Sequence, residues 1–301
     1  MSSASGTPSR VGVLGTGRMG LPIARALHRA GFEVFAFDAD WSKEESIRQA
    51  GITPTSNADA LAAAVDVLLT VLPDGDAVHS ARASILALRE GSLWIDLSSG
   101  DPRLSEPDQR TARDRGIRTV SAPMSGGPAE AASAELGFYV SGPRRDVRAA
   151  LPVLKHLGPA AKTTIVGTRA GDGQVVKLLA NLLWFGQVVA ATEALLLGVR
   201  LGIDVTVLRE ALGNSAGGSA FLDRHVDRLL AGDYMEDFPL DRCVAELRNI
   251  SELAREAGTP AEVTELVTRI HEDALDRFGP ILGELLAARL LEEQAGFDLR
   301  A

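Results

Sequence analysis

The fold is decided at residues 11–20, which read VGVLGTGRMG and join a short apolar run to a helix-like stretch at 21–30. Gly15, Gly17 and Gly20 have the GxGxxG spacing of a dinucleotide-binding turn, with Arg18 and Met19 inside it. In that turn the first glycine permits the bend, the second admits the pyrophosphate, and the third lets the helix approach the strand. The pattern predicts a cofactor whose phosphates lie at the helix N-terminus.

The second apolar run, at 34–37, is followed directly by Asp38. A carboxylate at this place accepts hydrogen bonds from the ribose hydroxyls and repels a 2′-phosphate. The next residues, Ala39 and Asp40, add no positive charge, and the nearest base is Lys43. We therefore expect NAD as the cofactor, with NADP disfavoured.

The rest of the chain separates into two kinds of pattern. In the first half, strand-like runs at 11–14, 34–37, 67–71, 93–97, 118–121, 139–140 and 163–166 alternate with helical stretches, which predicts parallel βαβ units. From residue 171 the pattern is helical, with segments at 175–201, 205–212, 223–231, 240–257, 261–277 and 282–293. The expected fold is an α/β Rossmann domain at 1–168, with a mostly parallel, doubly wound sheet, followed by an all-α substrate and dimerisation domain at 169–301.

Charge and composition narrow the possible partners. The net charge of −9 argues against nucleic acid, which needs a basic surface. The five histidines show no metal-ligand spacing, so no metal site is expected. Cys243 is the only cysteine and is expected to be a small core residue, and residues 1–10 lack the apolar core of a secretory signal. These features predict a cytoplasmic protein that binds a small molecule.

The most apolar stretch, at 175–200, is expected to be a buried helix. Its longest uncharged run, 178–192, covers 15 residues, fewer than the roughly 20 that a membrane span requires. Lys177 and Asn181 are four residues apart at its start, so they share one helix face. On the residues alone this pair is either catalytic or a polar cap on the surface between the domains. The long apolar segment also favours a homodimer, because one small domain cannot easily cover it.

Several motifs occur in a fixed order along the chain: GTGRMGLP at 15–22, Leu72-Pro73, DLSS at 96–99, APMSGG at 122–127, and GDG at 171–173 leading to Lys177 and Asn181. In these residues the chain resembles the β-hydroxyacid dehydrogenases, the family that includes 3-hydroxyisobutyrate dehydrogenase. The resemblance implies that Lys177 is the general acid/base and that Asn181 orients the substrate. It also implies roles for two further groups of residues: cofactor contacts at Leu72, Pro73 and Ser99, and substrate contacts at Ser125, Gly126 and Gly127.

The chain departs from the family pattern at Ser121, at Ala245 and in the tail from His271 to Gly296, where the family's usual ending carries a late aspartate. Ser121 stands where the family usually has aspartate, and Ala245-Glu246 stands where it usually has Lys-Asp, so the lysine is missing. Arg242 or Arg248, each about one turn away, could supply the missing charge.

Two alternatives to a hydroxyacid dehydrogenase stay open. One is an imine reductase, although Lys177 and Asp38 argue against it, because those enzymes usually lack the lysine and prefer NADPH. The other is a dinucleotide-binding protein with little turnover, which the missing lysine at Ala245 favours.

Overall fold

The computed structural model describes residues 10–301, so the first nine residues of the predicted domain 1–168 lie outside the described residues. The chain divides into two compact units, one ending at Lys177 and the other beginning at Leu178. The sequence pattern places the boundary at 168/169 instead. The difference arises because the first turns of a long helix, which begins at Ala170, belong to the first unit.

Within residues 10–301 the first unit contains one nine-stranded sheet, with β7 and β8 joined antiparallel and the central strands parallel. The order is β3-β2-β1-β4-β5-β6-β8-β7, and β9 pairs with β8. The strands are β1 Arg10–Leu14, β2 Glu33–Phe37, β3 Thr53–Pro54, β4 Val67–Thr70, β5 Leu93–Asp96, β6 Arg118–Ser121, β7 Met124–Ser125, β8 Gly137–Ser141 and β9 Thr163–Gly167. The predicted Rossmann sheet is confirmed.

Helices cover the sheet and then form the whole second unit. Those of the first unit are α1 Gly20–Arg29, α2 Glu44–Gln49, α3 Ala58–Ala64, α4 Gly75–Ser80, α5 Arg82–Ile85, α6 Pro102–Asp114, α7 Pro128–Ser133 and α8 Arg144–Leu154. The long α9 Ala170–Arg200 leads into α10 Val205–Gly213, α11 Ala220–Arg224, α12 Val226–Leu230, α13 Leu240–Ala257, α14 Glu262–Phe278 and α15 Leu286–Ala295. The predicted all-helical second domain is confirmed.

The central strands β4 and β5 are apolar up to their last residue because the sheet is covered on both faces. On β4, Val67 and Leu69 belong to one buried cluster, whereas Leu68 belongs to the cluster on the opposite face. On β5, Ile95 and Trp94 divide in the same way. Successive side chains on a strand point to opposite faces, so continuous apolar runs mark strands buried on both sides.

In the second unit, α13 has the bounds that the sequence predicts. Its buried residues Leu240, Cys243, Leu247 and Ile250 recur at helical spacing and pack in one apolar cluster. Cys243 is therefore a core residue, as expected. The predicted helix at 223–231 is instead two short helices, α11 and α12, which meet at His225.

By length and composition, α9 is apolar enough to cross a membrane. In this single chain 44% of its most apolar window is buried, and Leu178, Phe185 and Val188 belong to apolar clusters of the helical unit. A core helix of a globular protein passes the same test. That α9 is such a core helix stays a prediction.

Candidate active site

The carboxyl ends of β1, β2, β4, β5 and β6 meet at one edge of the sheet, because these strands are parallel. Gly15 follows β1, Asp38 follows β2, Leu72 lies just past β4, and Ser99 lies just past β5. Ligands of open α/β sheets bind at this edge. The predicted cofactor residues therefore come together at one place in the first unit.

The three glycines of the turn meet different requirements. Gly15 has φ +95°, and a methyl group there would lie 2.3 Å from the Val71 carbonyl oxygen. A methyl group at Gly20 would lie 1.9 Å from the Gly15 carbonyl oxygen, so α1 can start this close to β1 only with glycine. A methyl group at Gly17 would meet no atom of the chain within 4 Å. This open cradle at a helix N-terminus fits a pyrophosphate.

The two residues between these glycines differ in exposure. Arg18 is exposed, and Met19 is half-buried against the apolar core beneath the sheet. Met19 therefore helps to fix the turn, while Arg18 presents its charge to solvent.

Asp38 is held rigidly at the end of β2. Its Oδ2 accepts hydrogen bonds from the Thr16 backbone N–H at 2.7 Å and the Thr16 hydroxyl at 3.2 Å, and its Oδ1 accepts one from the Asp40 N–H at 3.0 Å. Burial opposes ionisation of Asp38, but the N–H donors of Asp40 and Thr16 and the Lys43 ammonium outweigh it and lower its pKa. The carboxyl is therefore ionised at neutral pH.

Lys43 lies closer to the ribose position than its place in the sequence indicates. Its Nζ is 3.0 Å from Asp38 Oδ1 and 3.1 Å from Asp38 Oδ2. Asp38 consequently carries a positive neighbour, which reduces the repulsion it exerts on a 2′-phosphate.

The segments after β4 and β5 are joined by a hydrogen bond. The Leu72 N–H donates to Ser98 Oγ at 3.0 Å. Leu72 is half-buried, Pro73 is exposed, and Ser99 is half-buried next to the buried Ser98. The predicted contact residues Leu72, Pro73 and Ser99 thus lie on two neighbouring and connected segments.

Below Ser98, Asp96 is a fully buried carboxyl in a chain of hydrogen bonds. The Trp94 indole N–H donates to Thr70 Oγ1 at 3.0 Å, and the Thr70 hydroxyl donates to Asp96 Oδ1 at 2.7 Å. The Ser98 N–H donates to the same Oδ1 at 3.1 Å. Burial raises the pKa of Asp96 to about 6, although these donors oppose it.

The predicted substrate loop follows β6 and includes β7. Ser125 and Gly126 are exposed, and Gly126 has φ +111°. The Gly127 N–H already donates to Glu130 Oε2 at 2.8 Å in a capping box at the start of α7. A substrate carboxylate would have to displace Glu130 to use this donor, so Ser125 and Gly126 are the more accessible of the three.

The first turn of α9 approaches the sheet closely through its glycines. A methyl group at Gly173 would lie 2.5 Å from the Tyr139 carbonyl oxygen. The Gly173 N–H donates to Ser141 Oγ at 3.0 Å, and the Ser141 hydroxyl donates to the Ala170 carbonyl at 3.0 Å. The GDG motif therefore fixes the start of α9 on the unit that carries the cofactor turn. Lys177 is half-buried one turn after Gly173 on the same helix.

Asn181, four residues after Lys177, donates its side-chain Nδ2–H to Glu246 Oε2 on α13. Glu246 is buried, whereas the neighbouring Ala245 is exposed. Arg248 Nε lies 2.7 Å from Glu272 Oε1 on α14, so its guanidinium forms an ion pair within the second unit. Asn181 is thus oriented by a carboxylate at the position where the family usually has aspartate.

The sequence pattern assigned no role to Thr16, Glu246 or Gln174, each of which bonds a site residue or segment. A polar residue inside an apolar or glycine-rich run is the signal that could have found Gln174. Within residues 10–301 no group of three or more His, Cys, Asp or Glu side chains could hold a metal ion.

Two family models match the chain. Residues 10–167 match the NAD binding domain of 6-phosphogluconate dehydrogenase. Residues 171–291 match the model described as the NAD-binding domain of NADP-dependent 3-hydroxyisobutyrate dehydrogenase. Together they cover nearly all of the described chain, in the same order as its two units.

Among curated relatives, L-threonate dehydrogenase of Cupriavidus necator is 32% identical over 254 residues, which is 83% of this chain and 85% of that protein. Among solved structures, Mycobacterium tuberculosis 3-hydroxyisobutyrate dehydrogenase with L-serine has a TM-score of 0.86 at 25% identity, covering 94% of this chain and 99% of that chain. An imine reductase of Streptomyces aurantiacus is similar in fold alone, with a TM-score of 0.62 at 20% identity and coverage of 94% and 99%.

Proposed function

Because the chain belongs to the 3-hydroxyisobutyrate dehydrogenase-like family of β-hydroxyacid dehydrogenases, we propose that it oxidises a small hydroxyacid with NAD and uses Lys177 as general acid/base. It is an NAD(P)-dependent dehydrogenase that acts on CH–OH groups of small hydroxyacids. The NAD preference and the role of Lys177 are the parts we propose.

The observation that carries this proposal is the attachment of α9 to the sheet edge. Gly173 and Ala170 are hydrogen-bonded to Ser141 at the end of β8. The helix that carries Lys177 therefore starts within the same compact unit as the glycine turn and Ser99. A lysine fixed in this way can hold its amine at a constant distance from a bound nicotinamide, as general acid/base catalysis requires.

The residues then divide the chemistry between them. Bound NAD supplies the hydride acceptor. Lys177 Nζ takes the hydroxyl proton in the oxidation direction and returns it in reduction. Asn181, held by Glu246, orients the substrate oxygen, and Ser125 with Gly126 offers hydrogen-bond donors to the acid group.

The NAD preference rests on Asp38, whose ionised carboxylate lies where ribose hydroxyls bind and a 2′-phosphate is repelled. Lys43 Nζ lies 3.0 Å from Asp38 Oδ1, and its positive charge weakens this repulsion. We therefore expect NADP to bind measurably but more weakly than NAD. Titration of each reduced cofactor, followed by its fluorescence, compares the two dissociation constants. Equal or tighter binding of NADPH contradicts the preference.

We also propose that the enzyme is a cytoplasmic homodimer. One stripe of α9 exposes Leu179, Leu183 and Leu197, whose exposed fractions are 48%, 65% and 62%. Large apolar side chains at helical spacing mark a surface that another subunit covers. Light scattering at micromolar concentration should give twice the chain mass, and Leu183→Asp should lower it. A mass of one chain for the wild type contradicts the dimer.

Turnover of a panel of short hydroxyacids with NAD tests the central proposal. The wild type should reduce NAD with at least one of them, and Lys177→Ala should lower that rate by roughly 10²–10⁴-fold with unchanged NADH affinity. A Lys177→Ala enzyme with near wild-type turnover excludes Lys177 as the base. A wild type that binds NADH but turns over no hydroxyacid favours a binding protein with little turnover.

A further inference from the structure

We propose that Gln174 is a positioning residue that sets the distance between Lys177 and the segment holding Ser99. This role rests on the proposed function of Lys177 as general acid/base. Gln174 lies in the first turn of α9 and is 1% exposed. Neither the glycine turn nor the pair of Lys177 and Asn181 accounts for a buried carboxamide at this position.

The carboxamide of Gln174 binds the main chain on both sides of Ser99. Its Oε1 accepts a hydrogen bond from the Gly100 N–H at 2.9 Å. Its Nε2 donates to the Ser98 carbonyl oxygen at 2.9 Å, and the Ser121 hydroxyl lies 3.5 Å from the same nitrogen. Ser99 is thus held between two residues that one side chain clamps.

The hydrogen bonds of Gln174 also affect the position of Lys177, because both residues lie on the same helix. Residues three apart on a helix lie on the same side, with an axial separation of about 4.5 Å. The position of Gln174 against Ser98 and Gly100 therefore fixes where Lys177 leaves the helix. Misplacement of a catalytic group by about 1 Å can cost about 10²-fold in rate.

Other bonds hold the start of α9, so loss of the clamp should shift the helix without detaching it. Gly173 and Ala170 remain bonded to Ser141, and the Gly171 N–H donates to Glu106 Oε2 at 3.3 Å. These contacts act on the backbone of the first turn and do not touch the Ser98–Gly100 segment. Of the residues that make these bonds, only Gln174 joins the Ser98–Gly100 segment to α9.

The test compares Gln174→Met with Gln109→Met. Methionine matches glutamine in length and removes both hydrogen bonds. Gln109 is a fully buried glutamine of α6 in the same unit, and its side-chain amide has no hydrogen-bond partner among the described residues. The control therefore removes a buried amide without disturbing the clamp.

We expect Gln174→Met to lower kcat by roughly 10- to 100-fold and to raise the primary isotope effect measured with deuterated substrate. The KM of the hydroxyacid and the dissociation constant of NADH should each change by less than about threefold. A tenfold change would correspond to about 1.4 kcal/mol. Hydrogen exchange of a peptide containing Gly100 should accelerate, because its N–H loses its acceptor. Gln109→Met should retain wild-type kcat and exchange at Gly100.

Three outcomes overturn the proposal. Equal kcat in the two variants shows that the clamp is structural only. Weakened NADH binding with unchanged kcat makes Gln174 a cofactor residue. Unchanged exchange at Gly100 shows that the clamp does not form. A wild type that turns over no hydroxyacid contradicts the proposed function instead, and the exchange measurement separates the two failures because it needs no turnover.

Gln174→Glu keeps the proposal falsifiable if the methionine variant does not fold. A neutral Glu side chain offers an O–H donor and a carbonyl acceptor where the amide has its donor and acceptor. An ionised one keeps an acceptor for the Gly100 N–H but places its second oxygen, also an acceptor, against the Ser98 carbonyl oxygen. The ratio of the kcat values of variant and wild type should therefore rise as pH falls. A ratio that is constant with pH contradicts the positioning role.

Discussion

The two units bury their polar groups in different ways. In the first unit, Thr70, Asp96, Ser98 and Ser121 lie together where β4, β5 and β6 end. In the second unit, the buried titratable side chains of Glu, Asp and His residues lie on separate helices: Glu246 on α13, His271 on α14 and Glu292 on α15. Desolvation makes each buried polar group costly, so their concentration at one edge requires compensating bonds.

Those bonds also differ between the units. Glu292 accepts hydrogen bonds from Tyr234 Oη at 2.8 Å and from Arg300 Nη1 at 3.0 Å, which ties the C-terminal residues to the helices. The edge network of the first unit instead fixes the Leu72 and Ser98 segments, where the cofactor is expected. Buried polar groups at the strand ends thus act together on one edge of the sheet, whereas those of the helical unit act singly, Glu246 on Asn181 and Glu292 on the C-terminal residues.

The largest effect is expected at the glycine turn. Gly20→Ala puts a methyl group 1.9 Å from the Gly15 carbonyl oxygen, so the backbone must move. We expect a loss of more than about 3 kcal/mol in the free energy of unfolding, and loss of NADH binding. Urea unfolding and NADH titration measure the two effects.

Gly17→Ala is the matched variant, because its methyl group meets open space. It should leave the urea midpoint unchanged and weaken NADH binding by roughly 10- to 100-fold, the value of one hydrogen bond to a charged group. If Gly17→Ala bound NADH as well as the wild type, the pyrophosphate would not lie over this residue.

In the helical unit, His271 should make stability depend on pH. Burial lowers its pKa to about 4 against 6.5, although the hydrogen bond from Nδ1 to the Val267 carbonyl opposes it, and Nε2 has no partner among the described residues. As pH falls from 6.5 to 4, the His271 imidazole becomes protonated in the unfolded chain but stays neutral in the folded chain. The folded state should therefore lose roughly 3 kcal/mol across this range.

His271→Leu tests this, because leucine cannot take up the proton. Urea unfolding at pH 7 and pH 4.5 should show a smaller loss of stability in the variant than in the wild type. Equal losses in the two proteins would show that the pKa of His271 is the same in the folded and the unfolded chain.

Asp96, in the first unit, should give stability a pH dependence opposite to that of His271, over a slightly narrower pH range. Its folded pKa of about 6 lies above the ordinary 3.8, so the stability it contributes is complete below pH 4 and is lost as pH rises to 6. This loss is roughly 3 kcal/mol. Asp96→Asn keeps an acceptor for Thr70 and Ser98 and should be more stable than the wild type above pH 6.

Urea titrations between pH 4 and 8 measure the difference between Asp96→Asn and wild type. The difference should grow from pH 4 to 6 and then stay constant. A difference independent of pH would mean that Asp96 does not change its ionisation in this range.

The elements and residues found from sequence are those whose signals are local. The GxGxxG turn and α13 each carry their pattern within one continuous segment, and the structure has them where the pattern puts them. The two-residue strand β7 and the antiparallel pairing of β8 were missed, because two residues give no periodicity.

The partners of the site residues depend on contacts between distant segments. Gln174 bonds Gly100, and Asn181 bonds Glu246, across 74 and 65 residues. No periodic pattern encodes such pairs, because they exist only once the chain is folded. Lys43 shows the same limit at short range, since its return to Asp38 depends on how the chain turns after β2.

We expect the smallest of these effects at Lys43. Lys43 Nζ lies 3.0 Å from Asp38 and is partly exposed, so the pair contributes about 0.2–1 kcal/mol. Lys43→Ala removes the positive charge beside the expected 2′-phosphate position and should weaken NADPH binding more than NADH binding, by a few-fold. Asp38→Ala combined with Ala39→Arg should shift the preference in the opposite direction, towards NADP. Fluorescence titration of both reduced cofactors measures the ratio. If Lys43→Ala left the ratio unchanged or moved it towards NADPH, Lys43 would serve only to hold Asp38.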